Sequence, residues 1–435
     1  MIDLERQLCG WIQGRAEALL DDLRAHVAMR TGHNHVAGLD AYRRLLVERL
    51  SGLGVVSTEI PGDRRPEWLW SPAAEGETGP DDAIPPSVVA EHEVEAATPR
   101  VLLVGHLDTV HDPAGPFRQL EVDAERGLAT GPGCADMKGG VLIAITALEA
   151  LAHCGVELNW TVFLNSDEET GSFHSESALR RLAGAHDVGL VVEPALAGGA
   201  LALERMGSGQ FMVEVFGRAA HVGRNFAEGR SAVNELAAIV GRLAGASAPH
   251  RGEIVNVGPL RGGSVTNTVP DRAAGWGNVR YVDPAAGDRL AALIDGLATP
   301  DDAMPRVVVR RSWNRPVKPL TAAVRGLAES VRAAASDLGQ PLSFASTGGV
   351  CDGNILQDAG LPTLDTLGVR GGNLHRDDEF IEIASLVDRC QLLAVLLARL
   401  ADGRVRLAGR DAGARSDRPH PNPLPGEDYA AKRRL

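Results

Sequence analysis

The sequence predicts an α/β fold: a central mixed, mostly parallel sheet whose chain is interrupted by an inserted α+β domain and then resumed. Three observations carry this. Short apolar runs at 101–105, 160–165 and 188–192 alternate with helical periodicity at 139–153 and 175–183, the pattern of a sheet with parallel neighbours. Between about 207 and 314 the texture becomes strand-rich. Helical stretches return at 320–338 and 384–402.

In chain order, residues 3–28 and 39–52 have helical periodicity. Residues 61–99 are rich in Pro, Glu, Ala and Asp and lack a sustained apolar period, so they read as a surface insertion or flexible loop. Around and within the strand-rich block, strands are expected at 200–206, 210–217, 254–258, 264–269, 274–281 and 305–311, with helices at 229–244 and 286–297. The chain thus divides into a first unit at 1–206 that resumes at 315–402, an inserted unit at 207–314, and an Arg-, Gly- and Pro-rich tail at 403–435 read as disordered.

A chain of 435 residues has room for two or three domains. Its hydrophobic fraction of 44% fits a soluble globular protein. A net charge of −13, from 44 basic and 57 acidic residues, excludes the basic footprint of a nucleic-acid surface and gives no attraction to anionic lipid. No apolar stretch approaches the roughly 18 residues of a membrane span. The N-terminus lacks a basic region followed by an apolar one, so no signal peptide is expected. Five scattered cysteines without a Cys-x-x-Cys pair indicate neither a disulfide framework nor a zinc knuckle. A reducing cytoplasm is the expected setting.

The chemistry starts at Gly105-His106-Leu-Asp108-Thr109, which closes an apolar strand. Residues two apart on a strand point the same way. One nitrogen of His106 is therefore expected to face a metal while the Asp108 carboxylate holds the other. Gly131-Pro-Gly-Cys-Ala-Asp136-Met-Lys-Gly-Gly140 places a carboxylate just before an apolar helix. Asn165-Ser-Asp-Glu168-Glu169-Thr-Gly-Ser172 and Val191-Val-Glu193-Pro194 end the next two strands. Carboxylates clustered so closely are costly without a cation. Gly371-Gly-Asn-Leu-His375-Arg-Asp-Asp-Glu379 supplies a second imidazole far downstream.

Together these stretches resemble the two-zinc exopeptidase and deacylase family of glutamate carboxypeptidase, acetylornithine deacetylase and succinyl-diaminopimelate desuccinylase. The resemblance spans roughly 100–400, with the inserted domain in the family's place. It implies a zinc-exopeptidase-like catalytic domain carrying a lid or dimerisation domain. It also implies two divalent ions, zinc first, with cobalt or manganese acceptable to so oxygen-rich a set. By the family's pattern His106, Asp136 and Glu193 bind one ion, and Asp136, Glu169 and His375 the other, with Asp136 bridging. Each ion then has three protein ligands and an open place, the usual catalytic arrangement.

Glu168 matches the family's general base, Asp108 the partner of the first histidine, and Asp136-Met137 the family's cis peptide. Gly217-Arg-Ala-Ala-His221-Val-Gly223 resembles the turn whose histidine reaches the neighbouring subunit's site, with Ala220 where many members have Ser. Asn267 and Arg280 match residues that grip a substrate carboxylate, work suited to a planar guanidinium. The family reading implies hydrolysis of an amide next to a free carboxylate, releasing an amino acid from an N-acyl or short peptidyl substrate. A homodimer through the inserted domain is implied as well. The alternatives are a deacetylase or desuccinylase of amino-acid metabolism and a non-catalytic binding paralogue. Cys351, in a Gly-rich loop, is a further candidate nucleophile.

Overall fold

The computed structural model describes residues 1–32, 35–69 and 85–407. Most of the tail expected at 403–435, and the centre of the 61–99 insertion, lie outside them. The central sheet has six strands in the order Ser57–Ile60, Ser87–His92, Asn159–Asn165, Arg100–His106, Val188–Val191 and Thr363–Leu364. Only Ser87–His92 runs against the others, so the sheet is mixed and mostly parallel.

Val101 to Val104 are all at most 1% exposed, because both faces of the sheet are covered. That is why they read as a continuous apolar run rather than an alternating one. On one face helix Gly139–His153 packs against helix Ala384–Ala401, with helices Asp3–Gln13 and Ala16–Ala28 beside them. On the other face Val104 and Phe163 pack with Leu179 and Leu182 of helix Glu176–Ala185 and Ile355 of helix Asp352–Asp358.

Two readings need correction. The 61–99 stretch is not structureless throughout: Ser87–His92 is an internal strand with four of its residues buried. Its six residues are flanked by Pro and Glu, and a composition window averages their apolar character away. The single helical stretch 3–28 is two helices, with Gly14 and Arg15 between them.

The second sheet is antiparallel, in the order Glu253–Gly262, Arg272–Tyr281, Gly207–Phe216 and Arg306–Arg315. Helices Ala232–Ala246 and Pro284–Asp295 cover one face and enclose a separate core around Phe211, Val213, Val215, Leu236 and Ile239. Ser231 and Asp283 cap them through the amides of Asn234 and Ala286. Along Arg272–Tyr281 the odd positions are buried, while Ala274, Trp276, Asn278 and Arg280 are half-buried on the other face. That face turns to the first unit: Trp276 Nε1 donates to the Trp68 carbonyl at 2.6 Å, and Asn314 Nδ2 to the Gly171 carbonyl at 2.6 Å.

Candidate metal centre

Three parallel strands of the first sheet deliver their carboxyl ends to one place, where α/β sheets collect ligands. Arg100–His106 ends on His106, Asn159–Asn165 is followed by Glu168 and Glu169, and Val188–Val191 by Glu193. Asp136 comes from the turn before helix Gly139–His153, and the Asp136–Met137 peptide is cis. The start of that helix must lie close to the strand end at Val192. A Cβ on Gly140 would sit 1.9 Å from the Val192 carbonyl oxygen, so only glycine fits. His375 adopts φ 64°, a left-handed conformation uncommon outside glycine, and its half-exposed ring points Nε2 at Asp136.

The two oxygens of Asp136 serve different imidazoles. Oδ1 lies 3.1 Å from His106 Nε2, and Oδ2 lies 3.4 Å from His375 Nε2. Glu169 Oε2 is 3.2 Å from the same His375 nitrogen. His106, Asp136 and Glu193 form one group and Asp136, Glu169 and His375 another, each with ligand atoms within 4.8 Å of one another. Two atoms bound to one tetrahedral ion at about 2.0–2.1 Å stand about 3.3–3.4 Å apart. The separations of 3.1, 3.4 and 3.2 Å lie near that edge, and Glu193 completes the first group within 4.8 Å, so the residues fit a pair of ions sharing one carboxylate.

Electrostatics gives the same answer. Burial, reinforced by Asp136 and Glu168, pushes the Glu193 carboxyl well above the usual carboxylate range. Burial and Asp136 push Glu169 up to about 8, although His375 opposes the rise. Glu169 Oε1 is buried with no hydrogen-bond partner. The hydrogen bonds to Asp136 and Glu169 raise His375 to about 10. Burial alone would lower His106, but its contacts with Asp108 and Asp136 hold it well above the ordinary imidazole value. Surplus buried carboxylate that must borrow protons is a site built for cations.

Asp108 holds more than the His106 ring. His106 Nδ1 is 2.9 Å from the backbone carbonyl of Asp108, with the nearest carboxylate oxygen at 3.4 Å. The carboxylate also accepts the amides of Glu168 at 3.2 Å and Glu169 at 3.0 Å. The strand ends at His106, so the two-residue alternation does not extend to position 108.

Arg280 borders the centre, with Nη1 buried and unpartnered; burial and the neighbouring Arg315 lower its pKa. His221 and Asn267 lie elsewhere. Both are exposed on the inserted unit, beside the two-residue ladder that pairs His221 with Thr268. Among the described residues neither has a hydrogen bond or ion pair with the acidic cluster. Cys351 is buried, and burial pushes its thiol well above the usual range, which removes the thiolate a nucleophile needs.

Sequence reasoning missed two buried residues. Arg315 donates from Nη2 to the Glu168 carbonyl and to Ser172 Oγ, both at 2.7 Å. The same nitrogen lies 2.7 Å from Glu168 Oε1, off the line of a hydrogen bond. Glu379 accepts three amides of the turn that carries Asp136. The available signals were an arginine at a strand end before Pro316 and a glutamate four residues after His375.

A mostly parallel sheet that gathers two such ligand groups around a shared carboxylate defines a metallohydrolase. The model described as Peptidase family M20/M25/M40 matches residues 102–399, and the chain belongs to that family. Carboxypeptidase G2 of Pseudomonas sp. is 29% identical over 312 residues, 70% of this chain and 74% of that one. Succinyl-diaminopimelate desuccinylase of Alkalilimnicola ehrlichii is 27% identical over 325 residues, 69% and 84% of the two chains. Among solved structures, a Staphylococcus aureus tripeptidase superposes with TM-score 0.69 at 21% identity, over 89% of this chain and 99% of its own. The metallo-carboxypeptidase Sso-CP2 of Sulfolobus solfataricus gives 0.65 at 16%, over 88% and 99%. At such identities the structures establish the fold alone. Among the described residues no helix is long and apolar enough to cross a membrane.

Proposed function

We propose that the protein hydrolyses an amide next to a free carboxylate, releasing an amino acid from an N-acyl or short peptidyl substrate. His106, Asp136 and Glu193 would hold one ion, and Asp136, Glu169 and His375 the second, with zinc first and cobalt or manganese also suited. The observation that carries this reading is the split of Asp136, one oxygen toward each imidazole at 3.1 and 3.4 Å. When bound, the ions polarise the scissile carbonyl and make an attacking water more acidic.

The chain's own residues supply the rest. Glu168 is the general base: it takes the proton of the attacking water and passes it to the leaving nitrogen. Arg315 aims the Glu168 carboxylate from 2.7 Å. Arg280, half-buried with an unpartnered Nη1, grips the substrate carboxylate. His221, exposed on the inserted unit, serves the site of a neighbouring subunit in a homodimer, and Asn267, exposed on the same unit, grips the substrate carboxylate there. A cytoplasmic setting fits the unpaired cysteines.

The similarity to carboxypeptidase G2 favours a carboxypeptidase, and that to the desuccinylases an acyl-amino-acid deacylase. Elemental analysis combined with a substrate panel tests the reading. Two ions per chain are expected, with chelator-sensitive release of an amino acid from acylglutamates and dipeptides, or from N-succinyl and N-acetyl amino acids. Glu168→Ala is expected to keep both ions and lose most of kcat. Loss of metal in that variant, with residual turnover tracking occupancy, would make Glu168 a ligand and overturn the assignment.

A further inference from the structure

Glu379 is 1% exposed and directly precedes strand Phe380–Glu382. Its Oε1 accepts the amides of Ala135 at 2.8 Å and Asp136 at 3.0 Å. Its Oε2 accepts the amide of Gly133 at 3.1 Å and lies 2.7 Å from His111 Nε2. Its own carbonyl accepts the Gly131 amide at 3.0 Å. One residue therefore satisfies four backbone donors of the turn that presents Asp136, plus a buried imidazole. That turn needs outside partners. Gly133 has φ 67°, and Asp136 and Met137 depart from helical φ/ψ, so the following helix satisfies few of their amides.

The same residue anchors the second histidine. Glu379 stands four positions after His375, in a loop closed by Asn373 Nδ2 donating to Asp378 Oδ2 at 2.9 Å. Its side chain thus ties the loop of His375 to the turn of Asp136. Neither Glu379 oxygen belongs to the candidate ligand groups.

We infer that Glu379, held by His111, is a positioning residue that sets the distance between the carboxylate of Asp136 and the imidazole of His375. This rests on the dinuclear reading only for its effect on metal. A carboxylate is required because the three amides approach both oxygens, whereas a carboxamide of the same shape turns an NH2 toward one of them.

The test uses the full chain and Glu379→Gln in two arms. In the metal-free protein, exchange of the amides of Gly133, Ala135 and Asp136 is expected to speed up at least tenfold in the variant, while the central strands stay protected. In the second arm cobalt is titrated: affinity for at least one ion is expected to fall about 10- to 100-fold, the usual effect of losing an outer partner of a metal ligand. The visible spectrum of the remaining cobalt should also change. A purely structural role would lower stability and leave that spectrum alone. Unchanged exchange and an unchanged spectrum would overturn the inference. If the wild type binds no cobalt, the dinuclear reading fails, and the exchange arm still decides the role of Glu379. Should Glu379→Gln not fold, His111→Gln substitutes. It should speed exchange at Gly133, which shares Oε2 with His111, more than at Ala135 or Asp136, and uniform exchange would overturn the pairing.

Discussion

The Asp108 carboxylate takes the backbone amide of Glu169 on one oxygen, at 3.0 Å, and that of Glu168 on the other, at 3.2 Å. A single buried side chain at the end of one strand thereby fixes two consecutive residues at the end of the next. One of them is the proposed ligand and the other the proposed base, and they must project in different directions. Its backbone carbonyl orients the His106 ring from 2.9 Å. Asp108 thus serves three side chains of the candidate site, the imidazole of His106 and the two glutamates.

Asp108→Asn should separate these duties. The carbonyl contact to His106 survives, because it belongs to the backbone. One amide loses its acceptor and faces an NH2 group instead. Hydrogen bonds to a charged acceptor contribute about 1.5–3 kcal/mol each. The expected result is a loss of about 2 kcal/mol in urea unfolding, with kcat reduced more than metal affinity. Unfolding curves and a metal titration on the same preparation check it. Full kcat would show that the Glu168-Glu169 backbone holds its shape unaided.

Much of this architecture was legible in the sequence, and the reason differs element by element. Helix Gly139–His153 was read to the residue, because Val141 to Leu151 are apolar around almost the whole circumference and two glycines precede them. The strands ending at His106, Asn165 and Val191 announced themselves as runs buried on both faces. Strand Ser87–His92 was hidden by the composition of its surroundings. Within the site, the residues that offer chemistry were visible as types. Of those that position them only Asp108 was, because the partners of the others are distant: His111 and Glu379 are separated by 268 positions. Arg315 and Asp352 meet only once the second sheet is folded against the first. Spacing along the chain carries no trace of such pairs.

A pH dependence of stability follows from His26. It is 3% exposed, and burial, aided by Arg49 and Lys138, lowers its pKa to about 3. An unfolded histidine titrates near 6.5. Between these values the unfolded chain binds the extra proton, so stability is full above about pH 6.5 and falls as pH drops toward 3. The slope from one such group is at most about 1.4 kcal/mol per pH unit. His26→Phe, which keeps an aromatic ring beside Tyr42, should remove that component. Urea midpoints at pH 7 and pH 5 should differ less in the variant than in the wild type. Equal differences would place the acid sensitivity elsewhere.

Arg315 and Glu168 form the buried ion pair whose removal has the most specific signature. The guanidinium lies 2.7 Å from Glu168 Oε1 and 3.8 Å from Asp352 Oδ1, and all three side chains are at most 9% exposed. Burial and Glu168 already push Asp352 up to about 7, and Arg315, with the Ser172 hydroxyl, opposes the rise. Arg315→Met would leave two buried carboxylates without the cation that lies against both, with Arg280 the remaining positive neighbour of Glu168. Breaking one side of a buried pair costs about 3–5 kcal/mol, mostly from the charge left behind. If that is the origin of the loss here, removing the stranded charge should repair it. The double variant Arg315→Met with Glu168→Gln is therefore expected to be more stable than Arg315→Met alone, by about 1–3 kcal/mol, although it stays inactive. Additive destabilisation in this cycle would mean that Arg315 acts through its bonds to the Glu168 carbonyl and Ser172, holding the backbone of the loop rather than the direction of the base.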